Sequence, residues 1–357
     1  MDYSLELIEK VAEEQLKKEC RLCIDKSFMP PGHNGPYFDI ETPVRNTSHW
    51  LVVYSVLWRQ TKKDHYKDIS LRLLNYLLYC DLLAENVYIH RQKKGKDWCN
   101  GVIGQAWVIE SLVTAGVILG VPEAVSHANA ISKAFSFDKK VKAWIRVDPR
   151  NGQTQIDYTL NHQLWYAAAL SMLRDKNHDS DINDFLLQLN NGGMRVRPDG
   201  TISHLFYGSS SKGFLLQGLY CINEFRKPGL LQVKEVGYHL YNIHPLARLY
   251  QRFSDHPFFE SDNFKKALSR AFSDDFFDEL ENNQYSYPYN APGFEIALPS
   301  YIFQQEGREK IWHRQLEKTY SRELISFSNG VPDSLVLNSR VYEILIGAYL
   351  VECAVDC

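Results

Sequence analysis

An asparagine and a histidine stand side by side at the start of an otherwise apolar run, Asp157-Tyr158-Thr159-Leu160-Asn161-His162-Gln163-Leu164-Trp165. An amide can hydrogen-bond a substrate carboxylate, and an imidazole can take up a proton at neutral pH. A quieter role also fits, with Asn161 capping the helix and His162 bonding locally. A second segment runs from Gly237 to Arg248. Its Tyr238, Tyr241, His244 and Arg248 recur at three- and four-residue steps and so share one helix face. Tyr238 and His239 are its candidate proton-transfer groups, and Tyr241 and Arg248 its candidate binding groups. If Pro245 instead opens a new helix, the stretch 238–244 is a loop.

A third segment, Glu41-Thr42-Pro43-Val44-Arg45-Asn46-Thr47-Ser48-His49-Trp50, passes from a polar loop into an apolar helix. Thr47 or Ser48 reads as its N-cap. Arg45 could then grip a carboxylate through two parallel hydrogen bonds, with His49 beside it. A capped helix bearing an exposed arginine is the alternative. Fainter signals are Trp98 in Asp97–Gly101, Tyr207 in His204–Gly208, and Tyr287 and Glu295 in the tyrosine-rich stretch 285–295.

The elements that must position these groups are helical. Apolar residues recur with helical period over 4–24, 47–61, 66–86, 100–119, 122–135, 157–174, 180–189, 211–226, 235–253, 261–271, 296–305 and 335–355. Glycine and proline punctuate them, as at Pro30-Pro31-Gly32 and Gly120-Val121-Pro122. One stretch alternates instead: 194–203, around Pro198-Asp199-Gly200, predicts a short β-hairpin. About six helical hairpins without a strict repeat predict an all-α fold, an α/α toroid, complete or incomplete, in one domain over 1–357.

Composition narrows the function classes. A net charge of −3 gives no basic surface for nucleic acid. The longest apolar stretch, Val108 to Val121, contains Glu110 and is too short for a membrane span. The start, Met1-Asp2-Tyr3-Ser4-Leu5-Glu6, carries no secretory signal, so a cytoplasmic location is expected. Seven scattered cysteines read as free thiols, and Cys20-x-x-Cys23 lacks the second pair that a zinc site needs. No metal and no cofactor are expected, since P-loop, dinucleotide, GxSxG and HExxH signatures are missing. The 21 tyrosines, 18 phenylalanines and 7 tryptophans suit a cleft in which flat rings stack on sugars.

Two resemblances sharpen this. Gly104-Gln105-Ala106 with Ser111-Leu112-Val113, then Asp157 to Leu173, then Tyr238-His239 with Asn242-Ile243, resembles in order the helical C-terminal domain of glucuronyl C5-epimerases. Asn161-His162-x-x-Trp165 resembles a motif of helical-toroid alginate lyases. The resemblance implies a base that removes the proton on C5 of a uronic acid while amide or guanidinium groups neutralise the carboxylate. Reprotonation on the other face gives the epimer, and loss of the 4-O-group gives an unsaturated sugar. By resemblance Tyr238 matches an active-site tyrosine, Asn161 the carboxylate neutraliser and His162 the base. Two departures stand out. Asp148–Gly152 lacks the epimerases' Glu-Tyr pair, so the second tyrosine would have to be Tyr207, and their β-rich N-terminal region has no counterpart.

The expectation is therefore an epimerase or β-eliminating lyase acting on a uronate-containing oligosaccharide or polysaccharide in its biosynthesis or processing. Its competitors are a glycoside hydrolase using two of Asp97, Asp157 and Glu295, and a non-catalytic glycan-binding scaffold.

Overall fold

The computed structural model describes residues 2–18, 27–33, 35–208, 229–287, 289–303, 307–321 and 334–348. Helix α1 is Asp2–Lys18, α2 Val44–Thr61 and α3 Asp64–Tyr79; a strand pair, β1 Leu83–Ala84 and β2 Val87–Tyr88, follows. Then come α4 Ile103–Leu119, α5 Pro122–Lys133, strands β3 Phe137–Asp138, β4 Ala143–Val147 and β5 Thr154–Ile156, α6 Leu160–Ser171 and α7 Lys176–Gln188. Beyond residue 228 lie α8 Leu230–Gly237, α9 His239–Phe253, α10 Asp262–Ala271, α11 Asp274–Leu280, α12 Pro292–Glu295, α13 Ala297–Ile302, α14 Arg308–Ser321, α15 Ser334–Ser339 and α16 Tyr342–Ala348.

The chain divides into two compact units. One comprises 1–134, 147–153 and 319–357, the other 135–146 and 154–318. In the first, α2 and α4 pack on each other and are backed by α3 and α5 respectively. Helix α4 is buried on every side from Ile103 to Gly116, as a helix apolar all round must be. Its backing helix α5 buries only Ala124, Ala128, Ile131 and Ser132, one stripe at helical spacing. Gly120, at φ +70°, ends α4 in the left-handed conformation that glycine adopts without strain.

The second unit repeats this division of labour. Helices α6 and α9 pack together and are buried over Leu160–Leu170 at every residue but His162, and all round over His239–Leu249. Helices α7 and α10 each bury one face. Asp175 caps α7 by accepting from the N–H groups of Asn177 and His178, and Ser261 caps α10 by accepting from Phe264.

Most of the expected helices stand where the periodicity places them. The segment 80–86 leaves the helix for β1, and α11 and α14 form where no helix is expected. The expected helix at 211–226, residues 19–24 and 349–355, and Cys20, Cys23, Cys221, Cys353 and Cys357 lie outside the described residues. The predicted hairpin is present: Val196 pairs with Ile202, and Gly200, at φ +96°, makes the turn. The sheet β3–β4–β5 is unanticipated, because strands of two to five residues give too little alternation to read. No helix among the described residues is long and apolar enough to cross a membrane.

Candidate functional site

Helix α6 begins one residue before the Asn-His pair. Thr159 occupies the N-cap position in an extended conformation and no side chain caps the helix, so Asn161 is not the cap. Asp157, three residues upstream of Leu160, does the positioning. Its Oδ1 accepts from the N–H of Thr159 at 3.1 Å and its Oδ2 lies 2.7 Å from His162 Nδ1. An ionised carboxylate only accepts, so His162 carries its proton on Nδ1 and presents the lone pair of Nε2. Asp157 is buried, while the His162 side chain remains 22 % exposed and so reachable. Asn161 is 3 % exposed and its Oδ1 has no hydrogen-bond partner.

Gln163 fastens this turn to the sheet. Its Oε1 accepts from the N–H of Trp144 at 2.8 Å, and its Nε2 donates to the carbonyls of Trp144 and Asp157 at 2.9 and 2.7 Å. The chain after the hairpin pairs with the same segment, through Leu160 N–H to His204 O and Phe206 N–H to Tyr158 O. His204 is thereby brought beside the dyad. Lys234 donates to His204 Nε2 at 2.9 Å. Burial, and then the positive charge of Lys234, push the His204 imidazole well below its usual range, against the opposing pull of Asp157. Glu235 accepts from the His204 N–H at 2.8 Å and also pairs with Arg197.

Tyr238 sits between α8 and α9, with its ring 5.8 Å from that of His204 and 6.1, 5.9 and 6.1 Å from Tyr241, Tyr285 and Tyr289. Of the residues singled out from sequence, His162, Tyr238 and Tyr241 thus belong to one chain of neighbours linked by His204. Tyr207 follows three residues after His204, with Arg195 over its ring at 4.2 Å. Pro245 lies inside α9 rather than opening a helix. Arg248 donates to Met172 Sδ and lies over Trp165. Tyr287 is buried, bonded to Gln315 at 2.6 Å; Glu295 is buried as well, its backbone carbonyl 3.2 Å from His244 Nδ1.

His239 is placed differently from the expectation of a proton-transfer group. It is fully buried, with Nδ1 accepting from the N–H of Ile202 and Nε2 3.1 Å from the carbonyl of Ala267. Burial pushes its pKa down to about 3. Both nitrogens are engaged, so this imidazole ties the hairpin and α10 to α9 and offers no lone pair to a substrate.

The remaining candidates belong to the other unit. Helix α2 starts at Val44, earlier than the expected Thr47 or Ser48 cap, so Arg45 and His49 are both helical. Arg45 is buried and already held by both oxygens of Glu41 at 3.1 Å, with its guanidinium over Trp107. His49 is buried, 3.1 Å from Ser339 Oγ. Trp98 is partly buried beneath Arg150. Asp97 accepts from Gly101 N–H and pairs with Arg91. Lys234 and Trp107 carried no motif in the sequence, and His204 stood only at the start of the faint His204–Gly208 signal; the backbone pairing of 204–206 and the folded helices reveal them. Among the described residues no three His, Cys, Asp or Glu side chains gather to hold a metal ion.

No protein-family model matches the chain. It is 31 % identical over 338 residues to archaeal glycosylation protein Q of Haloferax volcanii, covering 88 % of this chain and 90 % of that protein. Among solved structures it resembles cellobiose 2-epimerase from Bacillus thermoamylovorans B4167, with a TM-score of 0.61 and 12 % identity over 97 % of this chain and 99 % of that one. It also resembles an unsaturated glucuronyl hydrolase specific for heparin, with a TM-score of 0.56 and 13 % identity over 99 % of both chains. These likenesses show the fold, the α/α toroid. The extent and identity of the sequence match show the kinship: the chain belongs to the family of archaeal glycosylation protein Q.

Proposed function

We propose that the protein is an enzyme acting on a uronic-acid-containing oligosaccharide or polysaccharide by abstraction of the C5 proton. The observation that carries this reading is the 2.7 Å contact between Asp157 and His162, which leaves His162 Nε2 as a lone-pair base on a partly exposed ring. Nε2 takes the proton from C5, and the electrons of the C–H bond pass into the sugar carboxylate. Asn161, buried next to the base, is the group that can meet this carboxylate, through the N–H donors of its amide. The uncapped N-terminus of α6 adds the positive end of a helix dipole there.

Tyr238 then either delivers its own proton to the opposite face of C5, giving the epimer, or protonates the departing 4-oxygen, giving the unsaturated sugar. His204, whose Nε2 lone pair is taken up by Lys234, supplies no second base to this group of side chains. The kinship with a protein named for glycosylation and the sharing of a fold by a sugar epimerase and a glucuronyl hydrolase both support a carbohydrate substrate.

The test is incubation with glucuronate- and mannuronate-containing oligosaccharides in deuterated water. Deuterium at C5, or a rise in the absorbance of unsaturated uronates, is expected with the unaltered protein and not with His162→Ala. Recovery of every glycan without deuterium and without unsaturation overturns the proposal.

A further inference from the structure

The unit built around α2 and α4 contains a second group of buried polar side chains, centred on Trp107. The indole N–H of Trp107, which is 4 % exposed, has no hydrogen-bond partner. His49 meets the indole edge to face at a centroid distance of 5.5 Å and stacks on Tyr342 at 4.1 Å. The Ser339 hydroxyl donates to the carbonyl of Val336 at 2.8 Å, so it accepts from His49 Nδ1–H. This fixes the tautomer and leaves His49 Nε2 as an acceptor, buried and without a partner. A third ring, that of His90, lies 5.8 Å from the indole. Gly104 makes room for it, since a Cβ there would come within 2.5 Å of His90 Cδ2.

The group carries no net positive charge for an anion. Arg45, stacked on Trp107, is matched by Glu41. Burial, and then the charge of Arg45, hold both His49 and His90 neutral, His90 with a pKa of about 3. An unpartnered donor and an unpartnered acceptor on adjacent rings each cost free energy that a ligand bearing hydroxyls can recover, because a hydroxyl both donates and accepts.

The geometry points to a binding site for a neutral hexose residue, whose hydroxyls take up the Trp107 indole N–H and His49 Nε2 against an aromatic wall that includes Tyr342. It is a site for an uncharged sugar, distinct in chemistry from the uronate assigned to His162, and it stands whether or not that reading holds.

The experiment uses the full-length protein labelled with nitrogen-15 at its seven tryptophans, with Trp107→Phe identifying the Trp107 indole signal. D-glucose, D-mannose, D-galactose, D-glucuronate and glycerol are titrated in turn. At least one hexose is expected to shift the Trp107 signal saturably, with glucuronate and glycerol leaving it in place. His49→Phe should weaken that hexose about tenfold or more. No saturable shift with any hexose overturns the proposal, as does an equal shift with glycerol or with glucuronate, or undiminished affinity in a folded His49→Phe. Should His49→Phe fail to fold, calorimetry on Trp107→Phe decides, since unchanged hexose affinity without the indole donor also overturns it. Activity lost in His162→Ala with this titration intact separates the two sites.

Discussion

The indole N–H of Trp165 donates to the carbonyl oxygen of Tyr241 at 3.0 Å, and Tyr241 stands four residues before Pro245 inside α9. A proline has no N–H to give the carbonyl four residues back, and so an interior proline ordinarily costs a helix a hydrogen bond. Here a neighbouring inner helix supplies the donor that α9 lacks. The bond fixes α6 against α9 at the level of the candidate site, and Trp165 stacks on His244 one turn further along.

Trp165→Phe keeps the ring and removes the donor. It should lower the unfolding free energy by about 1–3 kcal/mol, the cost of orphaning a buried carbonyl. Pro245→Ala restores a backbone donor for that carbonyl, so adding it to Trp165→Phe should recover part of the loss. Chemical unfolding of both single variants and the double variant reads the coupling; strict additivity would show that the two residues do not share this carbonyl.

Stability should fall as the pH is lowered from about 6.5, an ordinary imidazole pKa. His90 and His239 have folded pKa values of about 3, and His204 is also lowered. Below about 6.5 the unfolded chain therefore binds protons that the folded chain does not, and each such histidine removes about 1.4 kcal/mol per pH unit until its folded pKa is reached. The stabilisation is fully present above the unfolded pKa and is lost as the pH falls. Carboxylates with lowered values, Asp39 and Asp148 among them, act with the same sign but only below about 4. Unfolding free energies measured between pH 6.5 and 4.5 check this, and a flat profile across that window would contradict the buried, neutral histidines.

Asp157→Asn tests the dyad without disturbing packing. An asparagine accepts through one oxygen only, so it cannot serve both the Thr159 N–H and His162 Nδ1–H, and it no longer stabilises a protonated imidazole by charge. Under the proposed chemistry kcat should fall about 10²–10⁴-fold, the range of a general-base contribution, with KM little changed. His162→Ala should cost at least as much. Equal loss of kcat and of thermal stability would instead mark Asp157 as a fold residue.

Much of the architecture was legible because it rests on periodicity. Helices α2 to α6 lie close to their predicted ranges, and Pro198-Asp199-Gly200 marks the hairpin. The site was legible only as residue types. That Asp157 would turn back on His162 depends on an extended residue at Thr159, and that His204 would join them depends on pairing between 204–206 and 158–160. Long-range pairing leaves no local signal. His239 misled for a related reason: in sequence it is a polar residue beside Tyr238, and only the fold shows the hairpin and α10 saturating both its nitrogens.

One device occurs in both units and gives a last prediction. Gln105, in the first turn of α4, accepts from the N–H of Tyr88 and donates to its carbonyl, both at 2.9 Å. Gln163, in the first turn of α6, does the same to Trp144 at 2.8 and 2.9 Å. Each glutamine closes both backbone groups of one residue in a short strand, Tyr88 in β2 and Trp144 in the middle strand β4, from the first turn of a largely buried helix. Leucine at either position fills similar volume but leaves an N–H and a carbonyl without these partners. Gln105→Leu and Gln163→Leu should each cost about 2–4 kcal/mol, roughly twice the penalty of one buried unsatisfied group. Gln163→Leu should also reduce activity, since Gln163 Nε2 bonds the carbonyl of Asp157, whereas Gln105 has no such tie to the dyad's backbone. Unfolding and activity measured on both variants separate the two effects. Equal stability losses with activity reduced only for Gln163 would mean that one structural solution has been used twice and adapted once to hold the base.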